Sequence, residues 1–350
     1  MNMVDGLHRL APDEPLGVPE LGWVDMKRKQ VNAETERLEH ELKTYKNNLI
    51  KDMIRVSRIS PSATSVWHKL THCFPLWQLG NQDLGAHYAS SGDYPNAYKA
   101  YSRMREYCAT PKHIAEMFLK LTLVCINQQN WMNVQTQILK VQANSGALKP
   151  EERGVYETIV SAVHGLAQMA SGSYRDAAEQ FLKVDASFIT ADTVAGIDWK
   201  RAVLSANDIA VYGGLCALAS MSRAELQTRV LSNTNLGQFL ELEPHIRRAI
   251  ALFCSSKYSA CLEILEQYRT DYLLDLYLQP HVAELYWRVR SKSIVQYFIP
   301  FSCVTLDEMA RAFSTSSGTT IEEELVEMIQ QGILDARVDL VNRVTLPLLS

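Results

Sequence analysis

Two Thr-x-x-Glu tetrads, Thr305 to Glu308 and Thr320 to Glu323, constrain this chain more than any other feature. In such a tetrad the threonine hydroxyl accepts from the backbone three residues on, and the glutamate returns the bond, so each tetrad opens a helix. The first helix is expected to bury Leu306, Met309, Ala310 and Phe313, the second Ile321, Leu325, Met328 and Ile329, ending near Gly332. Upstream, Val282, Leu285, Tyr286 and Val289 form the one-sided stripe of a third helix, which Pro300 terminates. Beyond Gly332 the period changes from helical to alternating. Ala336, Val338 and Leu340 alternate with polar residues, a turn follows near Asn342, and Val344 and Leu346 alternate again, the signature of a strand pair. Three helices followed by a two-stranded wing predict a winged helix over residues 281–350.

Winged helices often read DNA, and charge decides against that reading here. The helix that would enter a groove carries Glu322, Glu323, Glu324 and Glu327, with no Lys or Arg between Thr320 and Gln331. Phosphate contacts dominate nucleic-acid affinity, and four carboxylates repel a phosphate backbone. The whole chain has a net charge of −4, which offers no general attraction to nucleic acid or anionic membrane. A winged-helix nucleic-acid binder is therefore the weaker alternative to a protein-binding one. Seven cysteines without close pairs read as reduced thiols in a nuclear or cytosolic protein, with Cys216 and Cys261 as core residues.

Upstream of the winged helix the chain repeats. Leu84, Gly85, Tyr88, Gly92, Tyr94, Ala97 and Tyr101 have the spacing of a tetratricopeptide helix pair, in which small residues let antiparallel helices approach and aromatics fill the groove. The frame returns at Gly165, Gly172, Tyr174, Ala177 and Phe181, again at Ser256, Tyr258, Cys261 and Leu265, and in degenerate form at Asn130, Met132 and Leu139. The fold class is thus mainly α: a right-handed helical-repeat, TPR-like solenoid over 79–280, followed by the winged helix with its small β-wing. Residues 1–25, rich in Pro and Gly, read as a linker or truncated N-terminus. Residues 26–55 read as a long helix with a stripe of Leu38, Leu42, Tyr45 and Leu49, and residues 56–78 as an irregular insertion. In the run Asp208 to Ser220, Gly213 and Gly214 cost helix stability and imply a very close neighbouring backbone.

A winged helix behind a helical array resembles the PCI domain found in subunits of the proteasome lid, the signalosome and initiation factors. The run Asp208 to Ser220, with Leu273-Leu274-Asp275, His281-Val282, Ile294-Val295-Gln296-Tyr297 and Met309-Ala310-Arg311-Ala312-Phe313, resembles the first-subunit family of the COP-nine signalosome. It is similar, less closely, to the lid's subunit-seven family, which gives the alternative of a proteasome-lid PCI subunit. The resemblance spans most of the chain from Leu21 to Arg343. Against the family pattern, an N-terminal helical portion and the C-terminal helix beyond the wing are missing. The resemblance implies a non-catalytic scaffold that supports cullin deneddylation and regulation of cullin-RING ubiquitin ligases through PCI-mediated assembly, in cytoplasm and nucleus. It implies other PCI subunits as partners, and cullin-RING ligases through the complex, with no nucleic acid, membrane or cofactor. The wing edge, Arg337, Val338, Asp339, Leu340 and Arg343, is expected to carry subunit contact.

Chemistry is not visible in the sequence. No phosphate loop, dinucleotide fingerprint, Cys-x-x-Cys or His-Glu-x-x-His is present, nor the His-x-His metal motif of the signalosome's isopeptidase. His68, His72 and Cys73 form the one cluster with metal-ligand spacing, and it lacks a fourth ligand. The insertion 56–78 reads as a retained intron. Val56-Ser57 suits a GTGAGT donor, Leu70-Thr71 a branch site and Gln78 a CAG acceptor, and joining Arg55 to Leu79 restores the family's passage into the first repeat. The alternative is a surface loop at a repeat junction. Sequencing the transcript is expected to find a main message without these codons; a main message that keeps them refutes the reading.

Overall fold

The computed structural model describes residues 21–59, 78–108, 110–190, 193–313, 320–339 and 341–347. These residues are mainly helical, with one three-stranded sheet towards the C-terminal end. They fall into two compact units: residues up to Arg153 with Val194–Ile197, and Gly154–Thr193 with everything from Asp198 onward.

The first unit opens with the long helix α1, Leu21–Ile59. It exceeds the expected 26–55 at both ends, so Leu21 to Asp25 are helical rather than linker, and Val56 to Ile59 continue the helix. Gln78, the last residue of the expected insertion, is helical too, while residues 60–77 lie outside the described residues, as does residue 340. A helix over 78–91, α2, packs on α1. Tyr88 donates to Glu39 at 2.9 Å, Thr35 Oγ1 lies 2.9 Å from His87 Nε2, and Gly80 faces Leu42 and Tyr45. Helices α3 (Tyr94–Arg103), α4 (Pro111–Asn127) and α5 (Trp131–Ser145) follow, and α6 (Pro150–Ala170) leads on.

The second unit continues with α7 (Tyr174–Phe181), α8 (Ala206–Ser220), α9 (Thr234–Leu242), α10 (Pro244–Cys254) and α11 (Tyr258–Gln267). The repeat frame read from sequence recurs as geometry. A Cβ on Gly85 would sit 2.6 Å from the Tyr101 ring, and one on Gly165 would sit 3.0 Å from the Phe181 ring. In both pairs a glycine lets the second helix lay an aromatic ring against the first. The turn between paired helices also repeats: a left-handed residue, an N-cap, then an aromatic. It is Gly92-Asp93-Tyr94, Gln129-Asn130-Trp131, Gly172-Ser173-Tyr174 and Ser256-Lys257-Tyr258.

Two details of the degenerate copy differ from the sequence reading. The left-handed position is Gln129, with Asn130 one residue later as the cap that accepts from Asn133. Met132 and Leu139 are exposed, and α5 buries Val134, Ile138 and Val141 instead. Both sets have helical spacing, so periodicity could not choose which stripe meets α4.

Helix α8 is the centre of the second unit. Ile209, Ala210 and every residue from Tyr212 to Ala219 are buried, so it is apolar on all sides. Its two glycines meet side chains rather than the expected backbone: Gly213 faces Phe181 of α7 and Gly214 faces Ile246 of α10.

The winged helix consists of α12 (Val282–Phe298), β1 (Val304–Thr305), α13 (Leu306–Ala312), α14 (Ile321–Gln330), β2 (Ala336–Asp339) and β3 (Val344–Pro347). Both Thr-x-x-Glu tetrads form complete capping boxes, on α13 and α14. The wing has three strands rather than two, in the order β1-β3-β2, all antiparallel. The inward side of β3 also differs. Thr345 is fully buried, while Val344 is half-buried and Leu346 exposed, because Thr345 lies opposite buried Val304 and half-buried Val338 on the core face.

Candidate protein-docking site

Two cations on α12 tie it to the helices on either side. Arg290 forms a two-bond ion pair with Glu324 of α14, at 2.6 and 2.9 Å, and donates to Phe313 O at 2.8 Å. The two side chains are only 18% and 13% exposed, so water competes weakly for this pair. Lys292 reaches the other way. Its ammonium donates to Leu218 O at 2.6 Å and to Met221 O, capping the carbonyl end of α8, and lies 4.6 Å from the centre of the Phe253 ring. A cation at a helix C-terminus meets the negative end of the dipole. Burial pulls the Lys292 pKa down to about 8. One helix therefore holds α8 and α10 on one side and the end of α13 and α14 on the other.

The four carboxylates of α14 have intramolecular partners. Glu322 pairs with Arg343 at 3.1 Å, Glu323 caps Thr320, Glu324 pairs with Arg290, and Glu327 accepts from Gln331 at 3.0 Å. Arg343 also reaches Asp307 at 3.1 Å. The acidic helix is thus built into the subdomain's own polar network.

The wing edge has a defined direction. Leu306 N–H donates to Arg343 O at 2.9 Å, which turns Arg343 and Thr345 towards β1. Strand alternation then turns Val344 and Leu346 towards β2, where they bond Asp339 and Arg337. Val338, opposite Thr345, is left with its N–H and C=O directed outward from the sheet. Of the residues expected at this edge, Arg337 is exposed and Val338 and Asp339 half-buried on β2. Arg343 stands in the turn with a left-handed backbone and is tied to Asp307 and Glu322, while Leu340 lies outside the described residues. Asp339 accepts from Val341 and Asn342 N–H at 2.9 and 3.1 Å, which fixes the wing tip and leaves Val341 exposed. The Asn342 side-chain amide, which donates to Asp339 at 2.8 Å, and then these backbone bonds hold the Asp339 carboxyl below its usual range. The sequence did not point to the outer sheet face, where Leu346 is exposed on β3 beside Arg337.

The titratable groups elsewhere are arranged for packing. His281 Nδ1 lies 3.0 Å from Tyr174 OH, His164 pairs with Gln168 at 3.2 Å, and His245 stacks on Tyr268 at 3.8 Å. Burial lowers the pKa of all three. Burial also raises the Cys216 thiol and pushes Cys261 up to about 12, the opposite of what a thiolate nucleophile needs. Among the described residues no group of three His, Cys, Asp or Glu could hold a metal ion. His68, His72 and Cys73 lie outside them. No helix among them is long and apolar enough to cross a membrane. A groove of about 630 Å³ beside α12 is lined by Tyr174, Arg175, Trp287, Arg288, Lys292 and Ile333. Its arginines are already paired, Arg175 with Glu225 and Arg288 with Glu284.

Comparison with known proteins matches residues 77–229 to the family of 26S proteasome subunit RPN7 and residues 265–345 to the PCI domain. The COP9 signalosome complex subunit 1 of Emericella nidulans is 47% identical, over 97% of this chain and 64% of the relative. That of Neurospora crassa is 38% identical, over 97% of this chain and 72% of the relative. A 26S proteasome non-ATPase regulatory subunit 6 homolog of Arabidopsis thaliana is 23% identical, over 54% of this chain and 46% of the relative. The chain thus spans somewhat less than two thirds of the first relative's length.

Proposed function

Because the chain belongs to the family of COP9 signalosome complex subunit 1, we propose that it is a non-catalytic scaffold that joins other PCI subunits of a signalosome through its wing edge. In this role it supports removal of the ubiquitin-like modifier from cullins, and so regulates cullin-RING ligases, in cytoplasm and nucleus. The observation that carries the reading is the outward-directed N–H and C=O of Val338 on an edge strand. An edge strand is a template for pairing with another chain's strand. Asp307 and Glu322 both pair with Arg343 in the turn between the wing strands. The match to the RPN7 family favours a proteasome-lid subunit as the second reading.

Val338→Pro tests the edge. Because the Val338 N–H points away from β3, the proline removes the outward donor while leaving the bonds of Arg337 and Asp339 to β3. The expected result is loss of a neighbouring PCI subunit from the purified complex, with the thermal midpoint of the chain itself nearly unchanged. Full incorporation of a folded V338P chain sinks the assignment.

A further inference from the structure

The loop between the short helix Arg269–Leu273 and the turn Gln279–His281 places three leucines in solvent: Leu273 is 45% exposed, Leu274 83% and Leu276 70%. Single exposed leucines are ordinary, but three within four residues form a contiguous apolar projection. The loop carrying them is firmly anchored. Asp275 Oδ1 accepts from the N–H groups of Tyr277 and Leu278 at 2.8 and 2.7 Å, and Tyr212 OH reaches the carboxylate at 2.8 Å from the buried helix α8. The Asp275 carbonyl accepts from Gln279 N–H at 3.1 Å. Tyr272 on one side and Leu278 on the other are buried at 5% and 0% exposure, and Tyr272 OH lies 2.6 Å from His245 Nε2. A buried tyrosine and a buried leucine thus pin both ends of a turn whose centre is tied by an aspartate.

Such an arrangement removes most of the ordering cost that a flexible loop meets on binding. It also keeps the leucines from folding back onto the protein, since the backbone between them is fixed. Between Glu266 and His281 the chain carries three carboxylates, Glu266, Asp271 and Asp275, and one cation, Arg269. Glu243 lies 3.3 Å from the His245 ring that bonds Tyr272, Asp271 is exposed two residues before Leu273, and Asp275 sits within the loop itself. Arg269, the cation nearest in sequence, is engaged with Glu266 at 3.1 Å and with the Tyr286 ring. An apolar projection with an acidic collar is complementary to an apolar recess with a basic rim.

We propose that Leu273, Leu274 and Leu276 form a preformed docking knob that inserts into an apolar groove edged by Lys or Arg on a neighbouring protein subunit. The loop lies in a different part of the chain from the wing edge strand β2. The inference rests on the anchored loop and its charge, and holds whichever PCI assembly the chain belongs to.

The test uses the full chain with the photo-crosslinking residue p-benzoylphenylalanine in place of Leu274, expressed in cells and recovered by a tag on the chain. The expected result is one dominant crosslinked peptide from another protein, apolar at the point of attachment and flanked by Lys or Arg. In the same complex, Leu274→Asp with Leu276→Asp is expected to weaken that subunit's binding by about 100-fold, two buried leucines contributing about tenfold each. Leu274→Met with Leu276→Met is expected to retain it. Scattered or absent crosslinks, a crosslink to a second copy of this chain, or undiminished binding by the folded double aspartate variant each overturn the proposal. Recovery of the other signalosome subunits without a loop crosslink overturns the knob and leaves the proposed function standing. A loop crosslink of the expected chemistry, in a chain that recovers none of those subunits, does the reverse.

Discussion

Arg290→Met is expected to destabilise the chain by about 3–5 kcal/mol, because it leaves Glu324 buried without its partner. The methionine keeps the bulk of the side chain, so the loss measures the charge rather than a cavity. Phe313 O also loses its donor, and the cost of an unmet carbonyl adds to the effect. Removing both charges in Arg290→Met with Glu324→Leu is expected to recover most of the stability, since a buried pair and an apolar pair of similar volume are often close in free energy. Chemical denaturation of the three proteins reads this directly. A single variant within about 1 kcal/mol of the parent would show that water reaches Glu324 and that the clamp between α12 and α14 is weak. A double variant no better than the single would show that Arg290 acts by packing instead.

Gly214→Val carries the second large effect. A Cβ at this position would lie 2.2 Å from Cγ2 of Ile246, closer than any real contact, and Ile246 is itself buried on α10. Neither helix has room to yield, because α8 is buried around its whole circumference. The valine is expected to cost about 3 kcal/mol or more through overpacking, well beyond the roughly 1 kcal/mol that a glycine sacrifices in helix propensity. Gly237 in α9 is the control: nothing lies within 4 Å of its Cβ position, so Gly237→Ala is expected to raise stability by about 0.5–1 kcal/mol. Opposite signs at two helix glycines, measured by thermal unfolding, would confirm that contact rather than propensity fixes Gly214. Equal signs would refute it.

These two sites mark the limit of what the sequence discloses. Local rules carried far: both Thr-x-x-Glu tetrads became capping boxes, and Gly85 with Tyr101 and Gly165 with Phe181 realised the repeat frame. Each of those signals lies within one helix or one helix pair. The failures came where the outcome depended on what a distant element placed nearby. Met132 and Leu139 belong to a valid helical stripe, yet α4 meets the other one. Thr345 turned inward because the register to β1 and β2 put it over the core, whatever the alternation of its neighbours. Arg290 finds Glu324 across 34 positions, and Lys292 finds the end of α8 across more than 70. The acidity of α14 was legible and its meaning only partly so, since three of its four glutamates are bound to the helix's own cap or to distant arginines. Of the candidate docking edge, the strand was readable, but the outward direction of Val338 required the third strand.

In the proposed function this chain is a structural member of a signalosome-type PCI assembly. The most direct test is to tag the full chain at its native locus, purify it under mild conditions and weigh the intact assembly by native mass spectrometry, with each subunit identified. The expected result is one copy of this chain bound to other PCI subunits and to the His-x-His isopeptidase subunit of a signalosome. Recovery with proteasome-lid subunits and ATPases instead, or as a free chain with no stoichiometric partner, would contradict it.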